Sequence, residues 1–161
     1  MNFEQEFAAL QFVGGSSIAE LQVSCAIVPN SPGVYTIVRQ GAAPVQFLEA
    51  STGGRFKGRN PSVPVAKLVG RWVPSAGVLY IGKAGGAEQR ATLRSRLSSY
   101  VRFGQGVPCA HWGGRYIWQL ADAAHLKVFW ARSANPAITE SHLLSLFRQS
   151  YSSLPFANLR R

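Results

Sequence analysis

The sequence predicts a mixed α/β (α+β) domain, and three observations predict it. Short runs of β-branched, aromatic and aliphatic residues lie at 34–38, 78–81 and 126–131. Apolar residues recur at helical spacing over 92–101 and 136–151. The chain has 161 residues, 47% hydrophobic and 11% aromatic, which suits one domain with a real core. No apolar run is long enough to span a membrane.

Residues 3–12, with Phe3, Phe7 and Leu10 beside Glu4 and Glu6, read as a short amphipathic helix. A segment of undefined type follows to Ile27-Val28. Pro29-Asn-Ser-Pro-Gly33 is a turn that launches a strand at 34–38, with Tyr35 and Ile37 on one face and Val34, Thr36 and Val38 on the other. A second strand is expected at 45–48. Residues 51–76 are broken by glycines and prolines and read as a long loop with one short strand at 64–69. Basic residues sit in it with Phe56 and Trp72, as expected of a phosphate-contacting flap; a solvated loop is the plainer reading.

Residues 77–100 organise the rest. Val78, Leu79, Tyr80 and Ile81 form a strand that Gly82, Gly85 and Gly86 should end. A helix follows with Thr92, Leu93, Leu97 and Val101 on its apolar side, carrying Arg90, Arg94 and Arg96. A strand that delivers a phenol and Lys83 beside arginines suits a polyanion, a phosphodiester above all. Residues 102–114 are irregular, 115–124 predict a short helix and 126–131 another strand. Asn135-Pro136 starts the last helix, a capping side chain before a proline at the first helical position.

Charge separates the function classes. There are 17 Lys and Arg against 7 Asp and Glu, a net charge of +10. Residues 1–38 hold no Lys or Arg. Between Glu49 and Glu88 lie Arg55, Lys57, Arg59, Lys67, Arg71 and Lys83, with no carboxylate among them. Such a surface attracts nucleic acid; anionic lipid is the weaker reading, because no amphipathic helix has a cationic face. Residues 1–13 contain Glu4 and Glu6 but no basic residue, so no leader is expected and a cytoplasmic location is. Cys25 and Cys109 pair with no CxxC or CxxH pattern, and Cys109-Ala-His111 lacks two further ligands for zinc.

Glu140 stands on the stripe formed by Ile138, Leu143, Leu144, Phe147 and Tyr151. A carboxylate turned toward a core needs a partner: a buried arginine on the structural reading, a cation on the functional one. Tyr35 and Tyr80, each alone, read as strand packing, and Lys83 and Arg96 as solvated charges.

Together these residues resemble the GIY-YIG nuclease family. Gly33-Val-Tyr35 and Tyr80-Ile-Gly82 resemble its paired signature. Tyr80-Ile-Gly-Lys-Ala84 followed by Leu93-Arg-Ser-Arg-Leu-Ser-Ser-Tyr100 is similar to the incision-nuclease domain of bacterial nucleotide-excision repair. Glu140-Ser-His-Leu-Leu144 and Pro155-Phe-Ala-Asn158 resemble the later motifs, a metal-binding glutamate and a closing asparagine. The family joins its tyrosine strands by a short connection, whereas residues 36–79 intervene here.

The resemblance implies a small, mainly antiparallel central sheet flanked by helices, in one domain over 1–161 with a basic insertion at about 39–76. It implies a metal-dependent endonuclease acting on nucleic acid, DNA first, with Glu140 holding one Mg²⁺ (or Mn²⁺). Tyr35 would serve as general base or orient the water, helped by Lys83 and Arg96, with Arg96 also neutralising charge on the phosphoryl group. Tyr80 would bond the water or a phosphate oxygen, and Asn158 would give structural support. Arg55, Lys57, Arg59, Lys67, Arg71, Arg90 and Arg94 are the candidate nucleic-acid contacts. The rival reading is a noncatalytic nucleic-acid-binding module on the same fold.

Overall fold

Val34, Tyr35, Thr36 and Ile37 are all fully buried, so their strand is covered on both faces. The computed structural model describes residues 2–87 and 89–159. In it, β1 (Val13–Ser17), β2 (Gly33–Val38), β3 (Val78–Ala84) and β4 (Lys127–Arg132) form one antiparallel sheet in the order β1-β4-β2-β3. Tyr35 stands opposite Gly82 on one side and Trp130 on the other. Tyr35, Ile37, Tyr80 and Trp130 share a core with α2 (Ile18–Val23) and α4 (Leu93–Gly104). Val34, Ile81 and Ala131 pack on the opposite side, against Phe3 of α1 (Phe3–Ala9) and the apolar side of α5 (Pro136–Tyr151).

Local chemistry fixes where α4 begins. The Ser95 N–H donates to Thr92 Oγ1 and the Thr92 N–H to Ser95 Oγ, a reciprocal cap that contributes about 1 kcal/mol. The next two N–H groups, of Leu93 and Arg94, donate to the carbonyls of Ser31 and Pro29 in the turn ahead of β2. The helix is thereby tied to the strand that carries Tyr35. Arg90 precedes the cap and lies outside the helix, contrary to expectation. The proline start of α5 is found, but Asn135 makes no side-chain cap.

β3 is an edge strand, and the C-terminal segment closes its edge. The Ala157 N–H donates to Leu79 O, the Ile81 N–H to Asn158 Oδ1 at 2.9 Å, and Asn158 Nδ2 to Ile81 O at 2.8 Å. One amide side chain thus stands in for a neighbouring strand.

Several expectations are corrected. β3 does not stop at Gly82 but continues to Ala84, because the Tyr35 ring lies over residue 82 and only glycine leaves room. Residues 45–48 form no strand: Pro44 precedes them, and Phe47 makes a single bridge with Leu120. Residues 64–69 are helical, as α3 (Val65–Val69), where Leu68 is fully buried; five residues are too few for periodicity to separate the two states. The helix expected at 115–124 is two short 3-10 turns, Arg115–Gln119 and Ala123–His125. Ile138 is 70% exposed and does not belong to the apolar stripe of α5.

The basic insertion is fastened rather than loose. Gln119 Nε2 donates to the carbonyls of Leu48 and Val63, and its Oε1 accepts from the Val63 N–H. The Gly54 N–H donates to Phe103 O in α4. Phe47, Trp72 and Phe156 pack ring against ring.

Candidate active site

Strand alternation splits the candidate residues between two faces of β3. Tyr80 and Gly82 point to the side of Tyr35 and α4; Lys83, two residues from Ile81, points to the side of α5. They meet at the strand edge, in an open cleft of ≈ 480 Å³ lined by Arg59, Tyr80, Lys83, Trp112, Arg115 and Glu140.

Lys83 Nζ donates to Glu140 Oε2 at 2.8 Å, with the two side chains 35% and 20% exposed. A pair this open contributes about 0–1 kcal/mol, too little to explain the arrangement as a stability device. The core-facing carboxylate of the sequence reading is thus a half-buried one, paired with a lysine rather than an arginine. Glu140 Oε1 accepts no hydrogen bond among the described residues.

Tyr35 lies behind the cleft, fully buried, its ring centroid 5.9 Å from that of Tyr80. Its hydroxyl has no hydrogen-bond partner of ordinary geometry, so Arg96 and Tyr80 act on it chiefly through charge and dipole. Burial pushes the Tyr35 phenol above its usual value, and the Arg96 charge pulls the other way. Burial raises Tyr80 and Tyr100 further still. The Tyr100 hydroxyl donates to Gly114 O at 2.9 Å. His111 is fully buried against the Tyr100 ring, with neither ring nitrogen partnered, and burial pushes it down to about 3.

The other candidates fall into three groups. Asn158 holds the backbone of Ile81, and Arg71 donates to Asn158 O at 2.6 Å, so Arg71 is tied to the closing segment. Arg94 donates to the carbonyls of Val28 and Ala26, which commits its guanidinium to the loop after α2. Arg55, Lys57, Lys67 and Arg90 are exposed away from these contacts, Arg55 donating to Gly58 O. Arg59 alone of the insertion's basic residues lines the cleft.

Trp112 and Arg115 were not among the candidates from sequence. Their signal was an aromatic residue and a cation flanking Gly113-Gly114, a stretch read as irregular. Gly114 has φ +74°, and a Cβ there would lie 3.1 Å from Tyr80 Cζ; the pair lets this loop press onto the tyrosine.

A scan of protein-family models and searches of curated proteins and of solved structures return no match to this chain. Among the described residues, no helix is long and apolar enough to cross a membrane.

Proposed function

We propose that the chain is a GIY-YIG-type, metal-dependent endonuclease that hydrolyses phosphodiester bonds in DNA. The observation that carries this reading is the meeting of Tyr80, Lys83 and Glu140 in one basic cleft, with the Tyr35 ring packed against Tyr80 and the Arg96 charge acting on both phenols.

The residues present suit a divalent cation. Among the described residues no three His, Cys, Asp or Glu side chains converge, so Glu140 would be its one protein carboxylate. Mg²⁺ tolerates this, since it keeps several waters and binds through one or two carboxylates and substrate phosphate. When bound, Mg²⁺ (or Mn²⁺) supplies charge neutralisation at the phosphate and the leaving oxygen.

The chain's own groups do the rest. Lys83 neutralises Glu140 and, with Arg59 and Arg115, draws the polyanion to the cleft. Tyr35, protonated at neutral pH because it is buried, orients the attacking water through its hydroxyl and takes the water's proton in the fraction that is ionised. Arg96 favours that ionisation and offsets charge on the phosphoryl group. Tyr80 holds the water or a phosphate oxygen, and Asn158 keeps β3 in register beneath them.

The test is incubation of the purified chain with Mg²⁺ or Mn²⁺ and a panel of single-stranded, duplex and branched DNAs. Product is expected from wild type and none from Glu140→Ala, which should still bind. Wild-type cutting by that variant overturns the assignment of Glu140. Binding without product on every substrate and with either metal reduces the chain to a noncatalytic binding module.

A further inference from the structure

Trp112 sits half-buried on the wall of the cleft, and planar cations pile on it. The guanidinium of Arg115 lies 4.5 Å from its ring centroid and that of Arg59 lies 5.1 Å away. Phe56 and Phe103 flank the same indole at 6.5 Å. These residues come from the insertion, from α4 and from the loop beyond it.

The turn that delivers Arg59 is built at a cost. The Arg59 N–H donates to Phe56 O across Lys57 and Gly58, whose φ angles are +50° and +73°. A two-residue turn with both centres in the left-handed region is ordinary for Asn-Gly, but a lysine there is strained by about 1–2 kcal/mol. Such strain persists where surrounding structure holds it and is concentrated at binding sites. Here it places Phe56 and Arg59 beside Trp112.

We propose that the Arg59–Trp112–Arg115 cluster is a subsite for an unpaired nucleobase and its adjoining phosphate, so that the substrate is single-stranded or locally unpaired nucleic acid. The proposal rests on the phosphodiesterase reading of Lys83 and Glu140 for its biological sense, but the binding it describes does not require cleavage. In a duplex each base face is covered by its neighbours and only edges are offered. An aromatic and guanidinium stack finds a partner only when a base is unstacked, and it accepts any base because each has a π face. The phosphate between that base and the next meets the same two guanidiniums. Trp112 is bonded directly to Gly113, and a Cβ on Gly113 would lie 3.3 Å from the Tyr80 hydroxyl. The captured nucleotide therefore adjoins the residues proposed to act on the phosphodiester.

The experiment uses the full chain in EDTA, titrated into an oligothymidylate carrying one central 2-aminopurine, with a fluorescent duplex as comparison. Stacking should quench the 2-aminopurine. Trp112→Leu should abolish the quench and weaken single-strand binding about 5–150-fold, the range for losing one stacked base, with a change of less than about twofold on duplex. Trp112→Phe, which keeps a ring against Phe103, should retain most of both signals. An oligonucleotide of the same length with an abasic spacer at every position keeps the phosphates and offers no base, so wild type should bind it more weakly by a similar factor, a comparison independent of how any variant folds. Equal losses on single strand and duplex overturn the proposal, as does full-strength binding of the abasic oligonucleotide by wild type. Absence of product with Mg²⁺ sinks the nuclease reading and leaves these binding results standing.

Discussion

The ring of Tyr35 lies across Gly82: a Cβ on residue 82 would sit 2.5 Å from Tyr35 Cζ and 2.7 Å from its hydroxyl oxygen. The glycine opposite the tyrosine is therefore a steric condition for the tyrosine's position. Gly82→Ala should displace the phenol or the strand, with a loss of about 1–3 kcal/mol in stability and at least tenfold in turnover. Gly77→Ala is the control, since its nearest neighbour would stand at 3.5 Å, ordinary contact. Denaturant midpoints and cleavage rates on both variants check this.

Tyr35→Phe removes the hydroxyl and keeps the ring. Turnover should fall by about 10²–10⁴ with little change in binding. Because burial raises this phenol, the ionised form is scarce at neutral pH. The rate carried by that form should rise about tenfold per pH unit, and the variant should lose this dependence. A wild-type profile flat from neutral to alkaline pH shows that Tyr35 orients the water without taking its proton.

Arg94 and Arg96, two residues apart on α4, should differ in what their loss costs. Arg94 binds two backbone carbonyls, so Arg94→Ala should cost about 1–2 kcal/mol in stability and little turnover. Arg96→Ala should do the reverse, with a large loss of turnover. Parallel unfolding and rate measurements on the two variants distinguish them.

The insertion's exposed cations should be felt through salt. Replacing Arg55, Lys57 and Arg59 together with alanine should flatten the dependence of log affinity on log salt by about two to three units. Binding isotherms over a salt series measure it. An unchanged slope means these side chains meet no phosphates.

His111 makes stability fall on the acid side. Its folded value of about 3 lies below the unfolded 6.5, so the folded chain binds fewer protons in that window. The contribution is whole above about pH 6.5 and is lost as pH falls toward 3, at up to about 1.4 kcal/mol per unit. His111→Gln should show a shallower decline than wild type over that range in denaturant titrations.

The elements legible in the sequence were those with local signals. Gly33-Val-Tyr35 starts β2 and Pro136 opens α5, each within a few residues, whereas Thr92, read as part of the apolar side of α4, is its N-cap. The misread pieces, 45–48 and 64–69, are short and take their state from what covers them. Alternation in β2 was readable, but alternation alone does not say that both faces are buried. Within the cleft, residues that resemble family motifs could be named beforehand. Arg59 and Trp112 could not be joined, because nothing near either one announces the other. The carbonyls of Val28 and Ala26 that Arg94 binds come from a loop far away in the chain, so this bond was not legible beside the roles expected for Arg94 and Arg96.

The bonds that build the cleft link distant parts of the chain. Lys83 and Glu140 are separated by 57 positions, Ile81 and Asn158 by 77, and Arg71 and Asn158 by 87. Loops of that length must close before any of these partners meet, which is slow compared with forming a helix. A refolding chain should therefore regain helical signal early and catalytic competence only with the final cooperative step. Its cations need no such closure. On the nuclease reading, a half-folded molecule should already cling to a polyanion, and it should acquire the means to cut only when its C-terminal segment docks on β3.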